Sequence, residues 1–222
     1  MRSTSTPLPG QRGALLSRRE DGQDLHHLVW RLGAGVRVCS SAVLGGGIGP
    51  RAWILNAQVP GGYPRLDPER HLAEIAAAEG LTGPGAGLMT AADVTAHTRA
   101  ADEGVTATVT CGLGVRGWAA APAEAIPGAP LPGTVNIVVT VPAALSDAAL
   151  VNAVATATEA KVQALLDAGL DCSGTPTDAV CVAAPEPGPE GGEPFAGPRS
   201  PWGSRIARAV HAAVLASART AP

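Results

Sequence analysis

Short runs rich in β-branched residues alternate with helical stretches along this chain, and their order leaves few architectures open. Strand-like runs cover residues 36–42, 52–57, 86–89, 105–111, 135–141 and 178–183, and helical periodicity covers 67–79, 91–99, 147–168 and 201–218. Several strands follow one another without an intervening helix, which a strictly parallel sheet does not allow. The pattern therefore predicts an α/β chain in which mixed β-sheets are layered with helices, an α+β arrangement with an α-β-β-α stack as one form of it. A chain of 222 residues buries roughly 70% of its unfolded surface, enough for one sizeable core. One domain is expected over residues 25–222. Residues 1–24, polar and punctuated by Pro and Gly, read as a flexible lead-in.

Composition removes several functions. With 16 Lys+Arg against 19 Asp+Glu the net charge is −3, and the basic residues are scattered, so the chain offers no footprint for a phosphate backbone. Nucleic acid is not an expected partner. No stretch reaches the ~20 apolar residues of a membrane span, and the start of the chain lacks the apolar core of a signal peptide. The expectation is a cytoplasmic protein without a membrane partner, with a homo-oligomer left open. Aromatics are 3% of residues, too few for base-stacking platforms. Cys39, Cys111, Cys172 and Cys181 contain no C-x-x-C pair and read as buried thiols rather than a disulfide or zinc framework. Two Pro- and Gly-rich spans, 118–132 and 185–203, read as long loops, either binding lids or surface excursions.

Some positions carry more than packing. In the run from Val105 to Cys111, Thr106, Thr108 and Thr110 share one strand face, and from Thr134 to Val141 the residues Thr134, Asn136 and Thr140 do the same. A polar outer face is the simple reading for both, although Asn136 is unusual in a strand and needs hydrogen-bond partners. The helix after Ser146, its expected N-cap, has its predicted buried stripe through Val151, Val154, Thr158, Val162 and Leu165. Thr158 and Lys161 share a side, and a Thr-x-x-Lys arrangement is one way to activate a hydroxyl. A hydroxyl bonded back to the carbonyl four residues earlier is the alternative. Glu159 and Lys161 point to opposite flanks.

Two turns combine glycine with hydroxyls: Ser41 through Gly45, Gly46 and Gly47, and Ser173 through Gly174, Thr175, Thr177 and Asp178. Backbone N–H groups in such turns can approach an anion, yet neither turn has dinucleotide or Walker A spacing. Asp178 can serve there as base, orienter or turn cap. The histidines form no local metal motif, so no metal ligands are assigned. His71 and Glu74, three apart on a helix, read as a solvated pair.

Read together, these blocks resemble the adenosylcobinamide amidohydrolase (CbiZ) family. The stretches that carry the resemblance are Ser40-Ser41-Ala42 with Gly45-Gly46-Gly47, Asn56 with Tyr63 and Asp67-Pro68, Gly87 through Asp93, and Thr110-Cys111-Gly112. Further along they are Gly133 through Asn136, Ala155 through Lys161, Gly174 through Asp178, Phe195 through Gly197, and Trp202-Gly203. The resemblance implies hydrolysis of the amide that joins a corrin-ring propionate to the aminopropanol arm of adenosylcobinamide, a step of corrinoid salvage. It implies a corrinoid as substrate; no cofactor is expected, and a metal is left open only if distant residues converge to hold it. The chain departs from the pattern at Cys111 and at the turn from Gly112 to Arg116.

Amide hydrolysis needs a nucleophile or activated water, a proton donor for the leaving amine, and donors for the developing oxyanion. By residue type, Thr158 or Thr177 supplies the nucleophile, Lys161 or Asp178 the base, Glu159 the acid, and Asn136 with loop N–H groups the oxyanion donors. Ser41, Gly45, Gly46, Gly47, Asn56, Thr90, Thr110, Thr134, Asn136 and Thr175 are the small and polar residues expected to line a corrinoid cleft. The readings that compete are a related amidohydrolase for another amide and a corrinoid-binding protein without catalysis.

Overall fold

A computed structural model of the chain describes residues 12–122 and 133–220. Strands β1 (Ala14–Glu20) and β2 (Gln23–Arg31) form a hairpin whose turn residues, Asp21 and Gly22, take φ of 48° and 79°. Two residues of positive φ match the right-handed twist of the flanking strands. β3 (Val36–Ser40), β4 (Gly47–Pro50) and β5 (Trp53–Gln58) follow, then α1 (Pro68–Ala78) and β6 (Gly85–Thr90). A second hairpin joins β7 (Thr98–Asp102) to β8 (Val105–Cys111) through Glu103 and Gly104, at φ of 40° and 92°. β9 (Val135–Thr140), α2 (Asp147–Asp167), β10 (Ala179–Pro185) and α3 (Pro201–Thr220) complete the described chain.

One sheet is ordered β1-β2-β5-β6 and the other β4-β3-β10-β9-β8-β7. The pairs β5–β6 and β9–β10 are parallel and the remaining neighbours antiparallel. Three apolar clusters bind the layers together. Leu55, Leu72 and Ile75 pack α1 on the outside of the first sheet, and Trp30, Leu88, Val138 and Cys181 fill the space between sheets. Ile137, Leu150, Val182 and Ile206 lie under α2 and α3 on the outside of the second sheet. The mixed-sheet α+β expectation holds, in its α-β-β-α form, as one compact domain.

Several local expectations need correction. Residues 14–20 of the expected lead-in form β1, an edge strand whose Leu16 packs against the α1 cluster. The helix expected over 91–99 is a 3-10 turn, Val94–Ala96, capped by Asp93 accepting from Thr95 N, followed by β7. Pairing of β7 with β8 outweighs the helical spacing of that stretch. Thr106, Thr108 and Thr110 do not face solvent: all three are buried, because Val105, Ala107 and Val109 take the helix side and the threonines the opposite one. On α2 the buried side runs through Leu150, Ala153, Ala157, Ala160, Lys161 and Ala164, while Val151 and Thr158 are exposed. Alanines win that face because small side chains let α2 lie close against α3.

Residues 186–200 are tied to α2 rather than projecting from it. Glu193 N donates to Ala144 O at 2.8 Å, and Thr156 Oγ1 donates to Ala196 O at 2.8 Å. Of the loop expected over 118–132, residues 123–132 lie outside the described residues.

Candidate active site

The parallel strands β9 and β10 begin side by side, Ala179 opposite Asn136, which brings Asp178 against the first residue of β9. Asp178 Oδ1 accepts from Val135 N at 2.8 Å and from Thr175 Oγ1 at 2.5 Å. Its Oδ2 accepts from Lys161 Nζ at 2.5 Å and from Thr175 N at 3.1 Å. A carboxylate has about four lone-pair sites, and here all are taken, so Asp178 is held as the orienter of Lys161 rather than as an open base. The Lys161–Asp178 pair is largely out of water, with side-chain exposures of 9% and 11%. Lys161 reaches it from the alanine-lined side of α2, where a lysine is affordable only with such a partner. Gly174, at φ 148°, passes so close that a Cβ there would collide with both the Asp178 carboxylate and the Lys161 ammonium.

Beside the pair lies a hollow of about 400 Å³ whose walls include Arg116, Trp118, Thr158, Lys161, Thr175 and Pro176. The two walls are joined by backbone: Gly117 N donates to Gly174 O, and Ser173 N to Gly117 O, both at 3.0 Å. Trp118 is fixed by its indole N–H donating to Asp171 Oδ1 at 3.1 Å, and it stays 45% exposed. Thr134 and Thr177 form a hydroxyl pair at 2.6 Å next to Asp178. Thr158 lines the hollow but donates its hydroxyl to Val154 O at 2.9 Å, the back-bonded arrangement. Glu159 is on the exposed flank of α2, away from the hollow.

Asn136 is elsewhere. It sits 1% exposed between the two sheets, donating to Asn56 Oδ1 at 2.8 Å and to Met89 O at 3.0 Å, so both of its N–H groups are spent. Asn56 in turn donates to Thr110 Oγ1 at 2.9 Å. This amide ladder joins the sheets at the level where β9 starts, and its side-chain oxygen Asn136 Oδ1 is buried without a protein partner.

The remaining sequence candidates occupy other places. Thr90 Oγ1 accepts from Ala92 N and closes the turn after β6. Ser41 Oγ accepts from Val180 N and fastens β3 to β10. The turn of Gly45, Gly46 and Gly47 turns carbonyls rather than N–H groups to its charged neighbour. Arg51 donates to Gly45 O at 2.7 and 3.0 Å and to Gly46 O at 3.2 Å. Among the described residues no three His, Cys, Asp or Glu side chains converge as a metal site. No helix described is long and apolar enough to cross a membrane.

A second cluster has no local sequence signal. His71 is 3% exposed and does not pair with Glu74, which instead binds Arg65 and Arg70. His71 Nε2 lies 2.8 Å from Glu20 Oε1, and its Nδ1 lies 2.8 Å from Tyr63 Oη. Arg18 Nε donates to Glu20 Oε2 at 2.8 Å. The link crosses more than 40 residues of sequence, from β1 to α1, and the unexpected strand β1 is what hid it.

The family model for adenosylcobinamide amidohydrolase, CbiZ, matches residues 13–221. The chain belongs to the CbiZ family. The adenosylcobinamide amidohydrolase of Methanosarcina mazei is 35% identical over 177 residues, 77% of this chain and 84% of that protein. The one from Halobacterium salinarum is 48% identical over 86 residues, 39% of this chain and 36% of that protein. The match of the CbiZ model begins at the threshold of β1 and so takes in both clusters, the Lys161 hollow and the Tyr63–His71–Glu20 link.

Proposed function

We propose that this CbiZ-family chain hydrolyses adenosylcobinamide at the amide of its aminopropanol arm, giving adenosylcobyric acid and aminopropanol, with water as the co-reactant and no cofactor. The observation that supports this reading at the level of residues is the Lys161–Asp178 pair, whose lysine lines a hollow that also carries the hydroxyl residues Thr158, Ser173 and Thr175. At about 400 Å³ the hollow is far smaller than a corrin, so it takes the arm, and the ring lies across the end of the sandwich.

Lys161, fixed by Asp178, is the cation that meets negative charge developing on the amide oxygen, a stabilisation that needs a donor held in place before reaction. Thr175 holds Asp178, and the Thr134–Thr177 hydroxyl pair marks the place where a nucleophile or a water is received. Asn136 and Asn56 brace the floor behind these residues instead of donating to an oxyanion. We place the reaction in the cytoplasm, with a free corrinoid rather than a nucleic acid or a membrane as the partner.

The test is incubation of the purified protein with adenosylcobinamide, with aminopropanol and adenosylcobyric acid followed separately. Both products are expected to appear together. A spectral shift without aminopropanol would make the chain a binding protein. Release that is rapid for another amide and absent here would move it to a different substrate. Lys161→Met keeps volume and removes charge, and a loss of kcat of ~10²-fold or more is expected. Retention of wild-type turnover would take Lys161 out of the reaction.

A further inference from the structure

The hollow accounts for the arm of a corrinoid but not for its ring, whose rim bears carboxamides. Strand register shows what else stands at that end of the molecule. Asn56 of β5 and Met89 of β6 meet Asn136 of β9, so the C-terminal ends of β5 and β6 and the N-terminal ends of β9 and β10 point the same way. Gly112 and Ala92 close the same end from the two sheets, a Cβ on Gly112 lying 3.1 Å from that of Ala92. Tyr63 belongs to the connection that leaves β5 at this end, and Arg18 Nη2 donates to Gln58 O, the last residue of β5, at 2.7 Å.

We propose that Tyr63, held by His71 and Glu20, is a specificity-determining contact that recognises a carboxamide on the corrinoid rim and rejects a carboxylate in its place. This rests on the proposed corrinoid substrate. A carboxylate only accepts, so when the His71 ring carries a single proton Glu20 holds it on Nε2, and Nδ1 is then the acceptor for the Tyr63 hydroxyl. The Tyr63 proton is thereby turned inward, and the lone pairs of its oxygen are left for a ligand N–H.

A carboxamide has that N–H and a carboxylate does not. The carboxylates around Tyr63 are already paired, Glu20 with Arg18 and Asp67 and Glu74 with Arg65, so a ligand carboxylate would meet an acceptor oxygen and no free cation among these groups. Burial pushes the Tyr63 phenol above its ordinary range, which keeps its proton in place. His71 is buried and Tyr63 half-buried, so the relay runs from the interior to a residue that keeps part of its surface open. A purely structural link between β1 and α1 would need His71 and Glu20 but not the tyrosine oxygen.

The experiment measures Kd by visible-spectrum titration with two probes: adenosylcobinamide, and the same corrinoid with one peripheral carboxamide hydrolysed to carboxylate. The carboxylates are compared position by position. For the wild type, one position is expected to weaken binding by ~10-fold or more. Tyr63→Phe, which keeps the ring, is expected to raise the Kd for adenosylcobinamide and to bring that position's ratio within about 3-fold of unity. His71→Gln is expected to reduce the ratio as well, because the tyrosine proton is then no longer directed inward. An unchanged Kd and an unchanged set of ratios in Tyr63→Phe would overturn the proposal. Binding is read without turnover, so a protein that binds both probes but releases no aminopropanol refutes the hydrolase reading and leaves this result standing. A wild type that binds neither probe overturns both.

Discussion

Individual side chains divide into those that prepare chemistry and those that hold the frame. Lys161 belongs to the first group because nothing in the packing of α2 calls for a cation on its alanine side; the charge persists there by the four-fold anchoring of Asp178. Asn136 belongs to the second. Replacing it with alanine removes the donor to the buried Asn56 Oδ1 and to the part-buried Met89 O. A buried acceptor left unpaired costs on the order of 1–3 kcal/mol. Asn136→Ala is therefore expected to lower unfolding stability in urea by roughly that amount or more, while a fixed oxyanion donor would show its loss in kcat without a stability change.

At the scale of elements, α2 is informative because its alanines take the buried side with Leu150 and Leu165, while Val154 and Val162 are half-buried and Val151 is exposed. Periodicity locates a helix, and Ser146 caps it as expected, accepting from Ala149 N at 3.1 Å. It does not decide which side is buried when alanines line one side and valines another. Close packing on α3 selects the alanines, Ala157 among them with no exposure. Ala157→Leu forces extra volume into that contact and is expected to lower the melting temperature, with a stability loss of about 1–3 kcal/mol; Val151→Ala, on the exposed side, is expected to change little. The hairpins teach a related lesson. Asp21-Gly22 is a readable hairpin signal that would have located a strand on both sides, whereas Glu103-Gly104 carries only the glycine of such a signal. β4 offers less: four residues, Gly47–Pro50, become a strand by pairing with β3.

For the whole molecule, thiols set a pH limit on stability; Cys172 and Cys181 are buried as expected, whereas Cys39 and Cys111 are only partly so. Burial pushes Cys181 from 9.0 up to about 12, and burial with the nearby Asp178 charge does the same for Cys111. Above pH 9 the unfolded chain releases these protons while the folded chain keeps them, so the unfolded state binds fewer protons and is favoured as pH rises. Their contribution is complete below about pH 9 and is lost progressively towards 12, with a slope of about 1.4 kcal/mol per pH unit for each thiol. Denaturant unfolding between pH 8 and 11 is expected to show that decline, and Cys181→Ala is expected to reduce its slope by about 1.4 kcal/mol per pH unit, leaving the share of Cys111. A slope unchanged by that substitution would assign the decline to other groups.

Local sequence determined the helices at α1, α2 and α3, the strands β3, β5, β6, β8, β9 and β10 but not the central strand β2, the mixed-sheet class and the family, because period, capping and motif order are properties of neighbouring residues. It also placed Lys161, Thr175, Thr177 and Asp178 among the candidates, since glycine and hydroxyls around an acid at a strand start are visible in one line of text. Only the tertiary structure decided which of them meet. Asn136 was drawn into the space between sheets, Glu159 stayed on the outer flank of α2, and Tyr63, His71 and Glu20 came together from three separate segments. The physical reason is that sheet pairing and layer packing are made between residues far apart in the chain, and the direction a side chain faces follows from that pairing rather than from its own neighbours.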